Sequence, residues 1–241
     1  MDKYEKLKKI INDSKSIIFF TGAGISTPSN IPDFRSSNGL YASKFGHLSP
    51  EDIISHSFFI KNPKEFYQFY FSNMVYQNAK PNLAHTYIAD LEKKGKKVWV
   101  ITQNIDGLHQ VAGTKNIIEL HGSIYRNYCT KCHSFYKLED ILNERKDVPI
   151  CPKCGEIIKP DVVLYEEELN YTDIDCAISL ISSAETMIII GTSLVVYPAA
   201  SFVRYFRGKN LVLINKQATP YDNCCQLVFN EDLIQVIRNI Q

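Results

Sequence analysis

Apolar residues at the start of the chain predict a helix that leads into a buried strand. In the first segment they recur at helical spacing, on one face: Tyr4, Leu7, Ile10 and Ile11. Residues 17–20 form an uninterrupted apolar run of strand length, and a turn with two glycines follows at residues 21–24. We therefore expect a helix, a buried strand and a tight turn, in that order.

The same strand pattern recurs further along the chain. Apolar runs occupy residues 98–101, 187–190 and 211–214, and each is followed by polar residues or glycine. Continuous apolar strands that alternate with helices are typical of a parallel sheet covered on both faces. A last helix is expected over residues 232–240, with an apolar face formed by Leu233, Val236, Ile237 and Ile240. The pattern predicts an α/β fold.

Two segments interrupt this alternation. Residues from about 27 to 84 are rich in aromatic side chains and proline, and residues from about 125 to 160 contain all of the paired cysteines. We interpret the aromatics, which recur at helical spacing, as the core of a small helical module, with a ligand-binding box as the alternative. The predicted sheet domain is discontinuous, with residues 1–30, 85–124 and 161–241, while a loop and the helical module occupy 31–84 and a ribbon occupies 125–160.

The overall charge gives no sign of a dedicated nucleic-acid partner. The chain of 241 residues contains 27 Lys and Arg and 26 Asp and Glu, so its formal net charge is +1. A dedicated nucleic-acid-binding protein is expected to carry a larger positive charge. The N-terminus lacks an apolar signal segment. The longest uncharged stretch, between Glu185 and Arg204, contains Gly191 and Pro198 and is not expected to span a membrane. We expect neither a nucleic-acid nor a membrane partner.

Four of the seven cysteines form two CxxC pairs that predict a zinc site. The pairs are Cys129 with Cys132 and Cys151 with Cys154, and 18 residues lie between them. Four thiolates fill the coordination sphere and leave no position for an activated water, so one Zn²⁺ ion is expected to be structural. Free or disulfide-bonded cysteines, and His133 as an alternate ligand, stay open. Metal-bound thiolates fit a reducing compartment, which predicts a cytoplasmic protein.

Small and polar residues follow four predicted strands. Gly22, Ala23 and Gly24 form a candidate phosphate-binding turn, because small residues let backbone amides approach a pyrophosphate. Thr27 replaces the third glycine of GxGxxG, and a plain tight turn is the alternative. Polar groups follow the other strands at residues 102–109, at residues 191–193 and at Asn215. Because ligands of open α/β sheets bind at the carboxyl ends of strands, we expect these four ends to converge on one crevice.

His121 is a further candidate for chemistry. It lies beside Gly122, directly after a short apolar segment. Histidine can serve as a general base near neutral pH, but most of the six histidines in the chain must be structural. The local sequence alone leaves both roles open.

Together these motifs resemble those of the sirtuin family over nearly the whole chain. The ordered matches are Gly22-Ala23-Gly24-Ile25-Ser26, Ile31-Pro32-Asp33-Phe34-Arg35, Thr102-Gln103-Asn104-Ile105-Asp106, His121-Gly122, the two CxxC pairs, Gly191-Thr192-Ser193-Leu194 and Asn215. The resemblance implies a Rossmann-like, doubly wound parallel sheet domain that binds NAD, with a smaller domain made of a helical module and a zinc ribbon. The cofactor and a substrate lysine would meet in the cleft between the two.

The resemblance also implies an activity, that of an NAD-dependent protein-lysine deacetylase. The acyl group would pass to ADP-ribose, with release of nicotinamide and O-acyl-ADP-ribose. His121 would act as general base on a ribose hydroxyl, and Asn104 would orient that ribose and a water. The residues implied to bind NAD are Gly22, Ala23, Thr27, Phe34, Arg35, Gln103, Ile105, Asp106, Thr192, Ser193, Asn215, Asp232 and Leu233.

The implied partner is an acylated lysine in a protein or peptide, and we expect the enzyme to be a monomer. An extended peptide would add as a strand between residues 162–165 and 194–197. The side chains implied to line the acyl-lysine tunnel are Val163, Tyr165 and Val196.

Two departures from the family pattern concern the substrate. The family usually has Phe-Gly-Glu where this chain reads Tyr165-Glu166-Glu167, so a glycine next to the peptide strand is replaced. Sirtuins that prefer succinyl or malonyl groups carry a Tyr-x-x-Arg pair, whereas the comparable residues 66–70 contain no arginine. An unpaired buried carboxylate costs about 1–3 kcal/mol, so acetyl and other uncharged acyl groups are expected.

Other functions share part of this pattern. A protein mono-ADP-ribosyltransferase would use the same NAD residues, and a long-chain deacylase would suit the aromatic-rich module. A zinc-ribbon module for interactions or nucleic acid is disfavoured by the near-neutral charge. An NAD dehydrogenase is disfavoured by the incomplete GxGxxG.

Overall fold

The computed structural model describes residues 1–36, 39–42, 48–143 and 147–241. Within these ranges the α-helices are α1 Lys3–Asp13, α2 Pro50–Ile53, α3 His56–Lys61, α4 Pro63–Asn73, α5 Leu83–Lys93, α6 Leu108–Ala112, α7 Leu138–Asn143, α8 Tyr171–Ser183 and α9 Leu233–Ile240. The strands are β1 Ser16–Thr21, β2 Lys97–Thr102, β3 Ile117–Glu119, β4 Gly122–Cys129, β5 Phe135–Lys137, β6 Ile158–Val162, β7 Thr186–Ile190, β8 Asn210–Ile214 and β9 Leu227–Phe229. Short 3-10 helices cover Ala23–Ile25, Thr27–Ser29, Leu40–Ala42, Ala199–Tyr205 and Asp222–Cys224.

The larger sheet has six strands in the order β3-β2-β1-β7-β8-β9. Every neighbouring pair in it is parallel. This arrangement confirms the doubly wound α/β fold and the four strands predicted from apolar runs. The short edge strands β3 and β9 were not identified from the sequence, because three residues carry too little periodicity.

Both faces of the larger sheet are covered, which explains why its strands are apolar at successive positions. Ile17 and Phe19 of β1 join a core with α1, α5 and α9, whereas Ile18 and Phe20 join a second core with α8. The apolar face predicted for the last helix packs into the first core. Asp232 caps α9 by accepting hydrogen bonds from the amides of Ile234 and Gln235.

The two interrupting segments fold together into the smaller domain. Its antiparallel sheet has the order β5-β4-β6, and its helices are α2, α3, α4 and α7. One core unites the aromatics Phe59, Phe66, Tyr67, Phe69 and Tyr70 with the buried cysteines Cys129 and Cys151. The interpretation of the aromatics as core is confirmed. The predicted boundaries at 84/85, 124/125 and 160/161 fall inside α5, β4 and β6.

The chain crosses from the larger to the smaller sheet at Leu120 and His121, between β3 and β4. The Leu120 amide donates to the Thr102 carbonyl at 2.9 Å, and the Val163 amide donates to the His121 carbonyl at 3.0 Å. Gly122 has a φ of 75°, and a Cβ there would lie 1.9 Å from the Asp161 carbonyl oxygen. Only glycine fits, so the crossing is fixed on both sides of His121.

None of the helices in the described ranges is long and apolar enough to cross a bilayer.

Two buried histidines lie between α5 and α6. Their rings meet edge to face with centroids 4.8 Å apart. The Asn82 amide donates to His85 Nδ1 at 3.3 Å, and His109 Nε2 lies 3.2 Å from Thr21 Oγ1. Burial lowers the pKa of His85 to about 4. Burial, followed by repulsion from His85, holds the pKa of His109 well below its usual range.

These histidines predict loss of stability in mild acid. They stay neutral in the folded chain but take up protons in the unfolded chain below pH 6.5, so the free energy of unfolding should fall from pH 6.5 towards 4. Each such histidine contributes a slope of at most about 1.4 kcal/mol per pH unit. His85→Asn keeps an acceptor for Asn82 and should flatten the dependence in urea titrations. An equally steep slope in His85→Asn would contradict the assignment.

Candidate active site

A cavity of about 460 Å³ lies where the carboxyl ends of the parallel strands face the smaller domain. Apart from the cysteines, all of the site residues named from the sequence line it. They are Gly22, Ala23, Thr27, Phe34, Arg35, Gln103, Asn104, Ile105, Asp106, His121, Val163, Tyr165, Thr192, Ser193, Val196, Asn215, Asp232 and Leu233. The strand ends therefore converge as expected, while the role of each residue stays a prediction.

The glycine turn after β1 interlocks with the turn after β7. The Gly22 amide donates to the Ile190 carbonyl at 3.1 Å, and the Gly24 amide donates to the Gly191 carbonyl at 2.8 Å. A Cβ on Gly24 would lie 2.7 Å from Gly191 Cα, and one on Gly22 would lie 2.7 Å from Thr192 Cβ. The glycines are thus required for contact between the turns, and both amides are already bonded within the protein.

Behind this turn, Ser26, Asn104 and Asp106 form a buried polar network. Ser26 Oγ donates to Asp106 Oδ2 at 2.7 Å, and Asn104 Nδ2 donates to Ser26 Oγ at 3.0 Å. The Leu108 amide donates to the other Asp106 oxygen at 2.9 Å. Burial raises the pKa of Asp106, although these hydrogen bonds act in the opposite direction. Ser26 belongs to the quoted motif but was not assigned a role, because nothing local to it shows its partner 80 positions away.

His121 is held as a neutral base. Its Nδ1 lies 3.0 Å from the Gln103 carbonyl oxygen. Since a carbonyl can only accept, Nδ1 carries the proton and Nε2 keeps a free lone pair. Burial lowers the pKa of His121, and the bond to Gln103 opposes this only in part. At neutral pH the ring is therefore uncharged and able to take up a proton at Nε2.

The segment that precedes Glu166 is already hydrogen-bonded. The Val163 amide donates to the His121 carbonyl, as described above, and the Tyr165 amide donates to the Ile54 carbonyl at 3.0 Å. The Leu164 amide between them donates to Glu167 Oε2 at 2.9 Å. Tyr165 and Tyr41 hydroxyls lie 2.7 Å apart, which ties this segment to the loop over the cavity. A peptide can pair with the amides of residues 163–165 only by displacing these bonds. No local sequence pattern indicates these long-range contacts.

Glu166 adopts the left-handed backbone conformation that glycine favours. Its φ is 75°, and its carboxylate accepts hydrogen bonds from the Ser57 amide at 2.8 Å and the Ser57 hydroxyl at 3.0 Å. These bonds to the first turn of α3 offset the strain of a side chain at positive φ. The replacement of the usual glycine is therefore accommodated by a contact with the helical module.

The helical module contributes uncharged groups to the cavity. In the stretch compared with the Tyr-x-x-Arg pair, the aromatic residues lie in the core and Gln68 is exposed. The module instead presents Ile54, Asn73, Met74 and Tyr76 to the cavity. Among the described residues 48–84, no Lys, Arg or His lines the cavity, and Arg35 reaches it from the preceding loop.

The four paired cysteines come together in the ribbon. Their Sγ atoms all lie within 4.8 Å of one another, with Cys129 and Cys154 at 3.3 Å and Cys132 and Cys151 at 3.6 Å. These distances exceed a disulfide bond, so the disulfide alternative is wrong, and His133 is not part of the cluster. Four converging thiols fit a tetrahedral zinc ion. The cysteines do not line the cavity, which agrees with a structural metal.

The chain is similar in sequence and in structure to proteins of the Sir2 family. The model of the Sir2 family matches residues 22–198. NAD-dependent protein deacetylases of Clostridium perfringens and Clostridium tetani are 56% and 53% identical to the chain, over 99% and 100% of its length and 98% of theirs. A solved structure of Sir2 with a p53 peptide and NAD⁺ is 42% identical and has a TM-score of 0.86, covering 100% of this chain and 97% of that one. A Sir2 structure with a deacetylated p53 peptide and 3′-O-acetyl ADP ribose has a TM-score of 0.90 at 42% identity, covering 99% and 97%.

Removal of zinc should unfold the ribbon before the rest of the chain. Purified protein should contain one zinc ion per chain by elemental analysis, and Cys151→Ser should lower this content and the melting temperature together. Cys176→Ser, which changes an exposed cysteine outside the cluster, is the matched control and should alter neither. Full zinc content in Cys151→Ser would contradict the assignment.

Proposed function

This chain belongs to the Sir2 family and is an NAD-dependent protein deacetylase, and we propose that His121 is its general base. The observation that carries the proposal is the 3.0 Å contact between His121 Nδ1 and the Gln103 carbonyl oxygen. Because the carbonyl can only accept, this contact requires the proton on Nδ1 and leaves Nε2 to accept one. The ring lies at the cavity where the strand ends and Val163 meet. A partly buried, uncharged imidazole is suited to general-base catalysis near neutral pH.

NAD would be held along the carboxyl ends of the strands. When bound, it supplies an electrophilic ribose carbon and accepts the acyl group, so that nicotinamide and O-acyl-ADP-ribose are released. We assign the phosphates and adjoining ribose to Gly22, Ala23, Thr27, Thr192 and Ser193, and the adenosine end to Asn215, Asp232 and Leu233. The amides of Gly22 and Gly24 are engaged within the protein, so the glycines would act mainly by allowing close approach.

The nicotinamide end would lie over the buried polar network. We assign the nicotinamide ribose to Gln103, whose side chain donates to Thr192 Oγ1 at 3.2 Å, and the carboxamide to Ile105 and Asp106. Ser26 would hold the Asp106 carboxylate in place. Asn104, fixed by Ser26, would orient the ribose and a water beside His121.

Phe34 and Arg35 would cover the cofactor from the other side. They belong to the loop that reaches Tyr41, whose hydroxyl contacts Tyr165. Arg35 packs over the Tyr41 ring, 5.2 Å from its centroid. These contacts support a closed arrangement in which water is excluded while the acyl group is transferred.

The substrate would be an extended peptide with its acyl-lysine beside Val163, Tyr165 and Val196. Val196 and its neighbour Val195 donate no backbone hydrogen bond to another described residue, so their amides can pair with a peptide. The amides of residues 163–165 are occupied, which favours main-chain pairing on the Leu194–Tyr197 side. Pairing through backbone groups would leave sequence specificity loose.

We further propose that the enzyme works as a cytoplasmic monomer. The clustered thiols suit a reducing compartment, which supports the cytoplasmic location.

Substitution of His121 should abolish turnover without loss of NAD binding. His121→Gln keeps a donor towards the Gln103 carbonyl but removes the base, so kcat should fall by about 10²–10⁴-fold. Calorimetry should give an NAD affinity close to that of the wild type. Because burial lowers the pKa of His121, the wild-type kcat/KM should decline only below pH 6.5. Retained deacetylation in His121→Gln, or an acid limb centred above pH 6.5, would contradict the role.

The preference for one acyl group over another tests whether the cavity can pair a carboxylate on the substrate. On one peptide, the enzyme should remove acetyl at least about tenfold faster than succinyl, because a buried carboxylate would lack a partner. Met74→Arg, which adds a cation at the wall, should raise the succinyl-to-acetyl ratio of kcat/KM, whereas the matched Met74→Leu should not. Faster removal of succinyl than of acetyl by the wild type would overturn the assignment.

A further inference from the structure

An ion-paired arginine lies beside the crossing that carries His121. Arg126 of β4 binds two carboxylates at once, with Nη1 2.6 Å from Glu119 Oε2 and Nε 2.7 Å from Asp161 Oδ2. Glu119 ends β3 of the larger sheet, and Asp161 lies in β6 of the smaller sheet. One guanidinium therefore joins three strands from both sheets.

The two carboxylates flank the segments that meet at the active site. Glu119 lies two residues before His121, and Asp161 lies two residues before Val163. The His121 carbonyl accepts a hydrogen bond from the Val163 amide at 3.0 Å, so this bond joins the two segments that follow the ion-paired carboxylates. β4 also reaches the cofactor side, because the Ile124 amide donates to the Ile105 carbonyl at 3.1 Å. Arg126 thus links the strand that leads to the base with the strand that leads to the substrate segment.

Glu119 depends on this arginine. Its side chain is only 9% exposed, and its Oε1 is buried without a hydrogen-bond partner among the described residues. A buried carboxylate with one unsatisfied oxygen needs a nearby counter-charge. Asp161 is 39% exposed and can be solvated without Arg126. Loss of the guanidinium would therefore release the β3 end, and with it the backbone that leads to His121.

We propose that Arg126 is a positioning residue that holds His121 in register with the acyl-lysine segment. The proposal rests on the assignment of His121 as general base. Arg126 does not line the cavity, so it acts through the backbone and not by contact with substrate. Displacement of a catalytic group by about 1 Å can cost about 10²-fold in rate.

The test is a single turnover with enzyme in excess, acetylated peptide and NAD, in which nicotinamide and deacetylated peptide are measured separately. In the reaction that the family resemblance implies, the acyl oxygen attacks the ribose carbon and displaces nicotinamide before the base acts on the ribose hydroxyl. Arg126→Met should therefore slow formation of deacetylated peptide by about 10–100-fold and change nicotinamide release by less than about threefold. Arg126→Lys, which keeps the charge but not the two-pronged geometry, should recover part of the rate.

The matched control is Lys64→Met. Lys64 pairs with Asp147 at 2.6 Å on the surface, away from the crossing, and its loss should leave both steps unchanged. Unchanged peptide deacetylation in Arg126→Met, or an equal loss of both steps, would overturn the positioning role. If His121→Gln is inactive in the same assay, the proposed function stands and only the role of Arg126 fails.

A second measurement does not depend on turnover. In the free protein, the His121 ring should give a single set of NMR signals, which should broaden or split in Arg126→Met because the ring loses its fixed bond to Gln103. Identical His121 signals in Arg126→Met and the wild type would contradict the proposal.

If Arg126→Met does not fold, Arg126→Lys takes its place, because it keeps the charge beside Glu119 but cannot bind both carboxylates in the same geometry. It should slow formation of deacetylated peptide selectively and to a smaller extent. Equal rates for Arg126→Lys and the wild type would then contradict the proposal.

Discussion

Parallel pairing of the six large-sheet strands is the constraint on which the rest of the molecule depends. In a parallel sheet every strand ends at the same edge, and the register of β1 with its neighbours brings Thr21 level with Thr102 and Ile190. The turns that follow these residues are far apart in sequence but meet at one cavity. Their interlocking then fixes the glycines, because no Cβ fits between them. The site is a consequence of the sheet.

The smaller domain meets the site at the crossing between β3 and β4. The chain leaves β3, passes His121 and enters β4, while Gly122 permits the close approach of β6. The aromatic helices and the ribbon share one core, so the zinc cluster supports the same sheet that carries His121. A structural metal remote from the cavity can therefore influence activity only through the position of this sheet.

Much of this was predictable because the signals are local. Apolar runs predicted β1, β2, β7 and β8, the CxxC spacing predicted the cysteine cluster, and ordered motifs predicted which residues line the cavity. What the sequence did not disclose are contacts between distant residues. The bonds of Ser26 to Asp106, Tyr41 to Tyr165 and Glu166 to Ser57 join positions with no shared local pattern. The occupied amides of residues 163–165 likewise depend on partners elsewhere in the fold.

In the proposed reaction, the acyl group passes from lysine to ADP-ribose in this one cavity. The product balance of the wild type with NAD and acetylated peptide, read by mass spectrometry, tests this transfer. One nicotinamide and one O-acetyl-ADP-ribose are expected for each lysine freed. ADP-ribose attached to protein, without free O-acetyl-ADP-ribose, would contradict it.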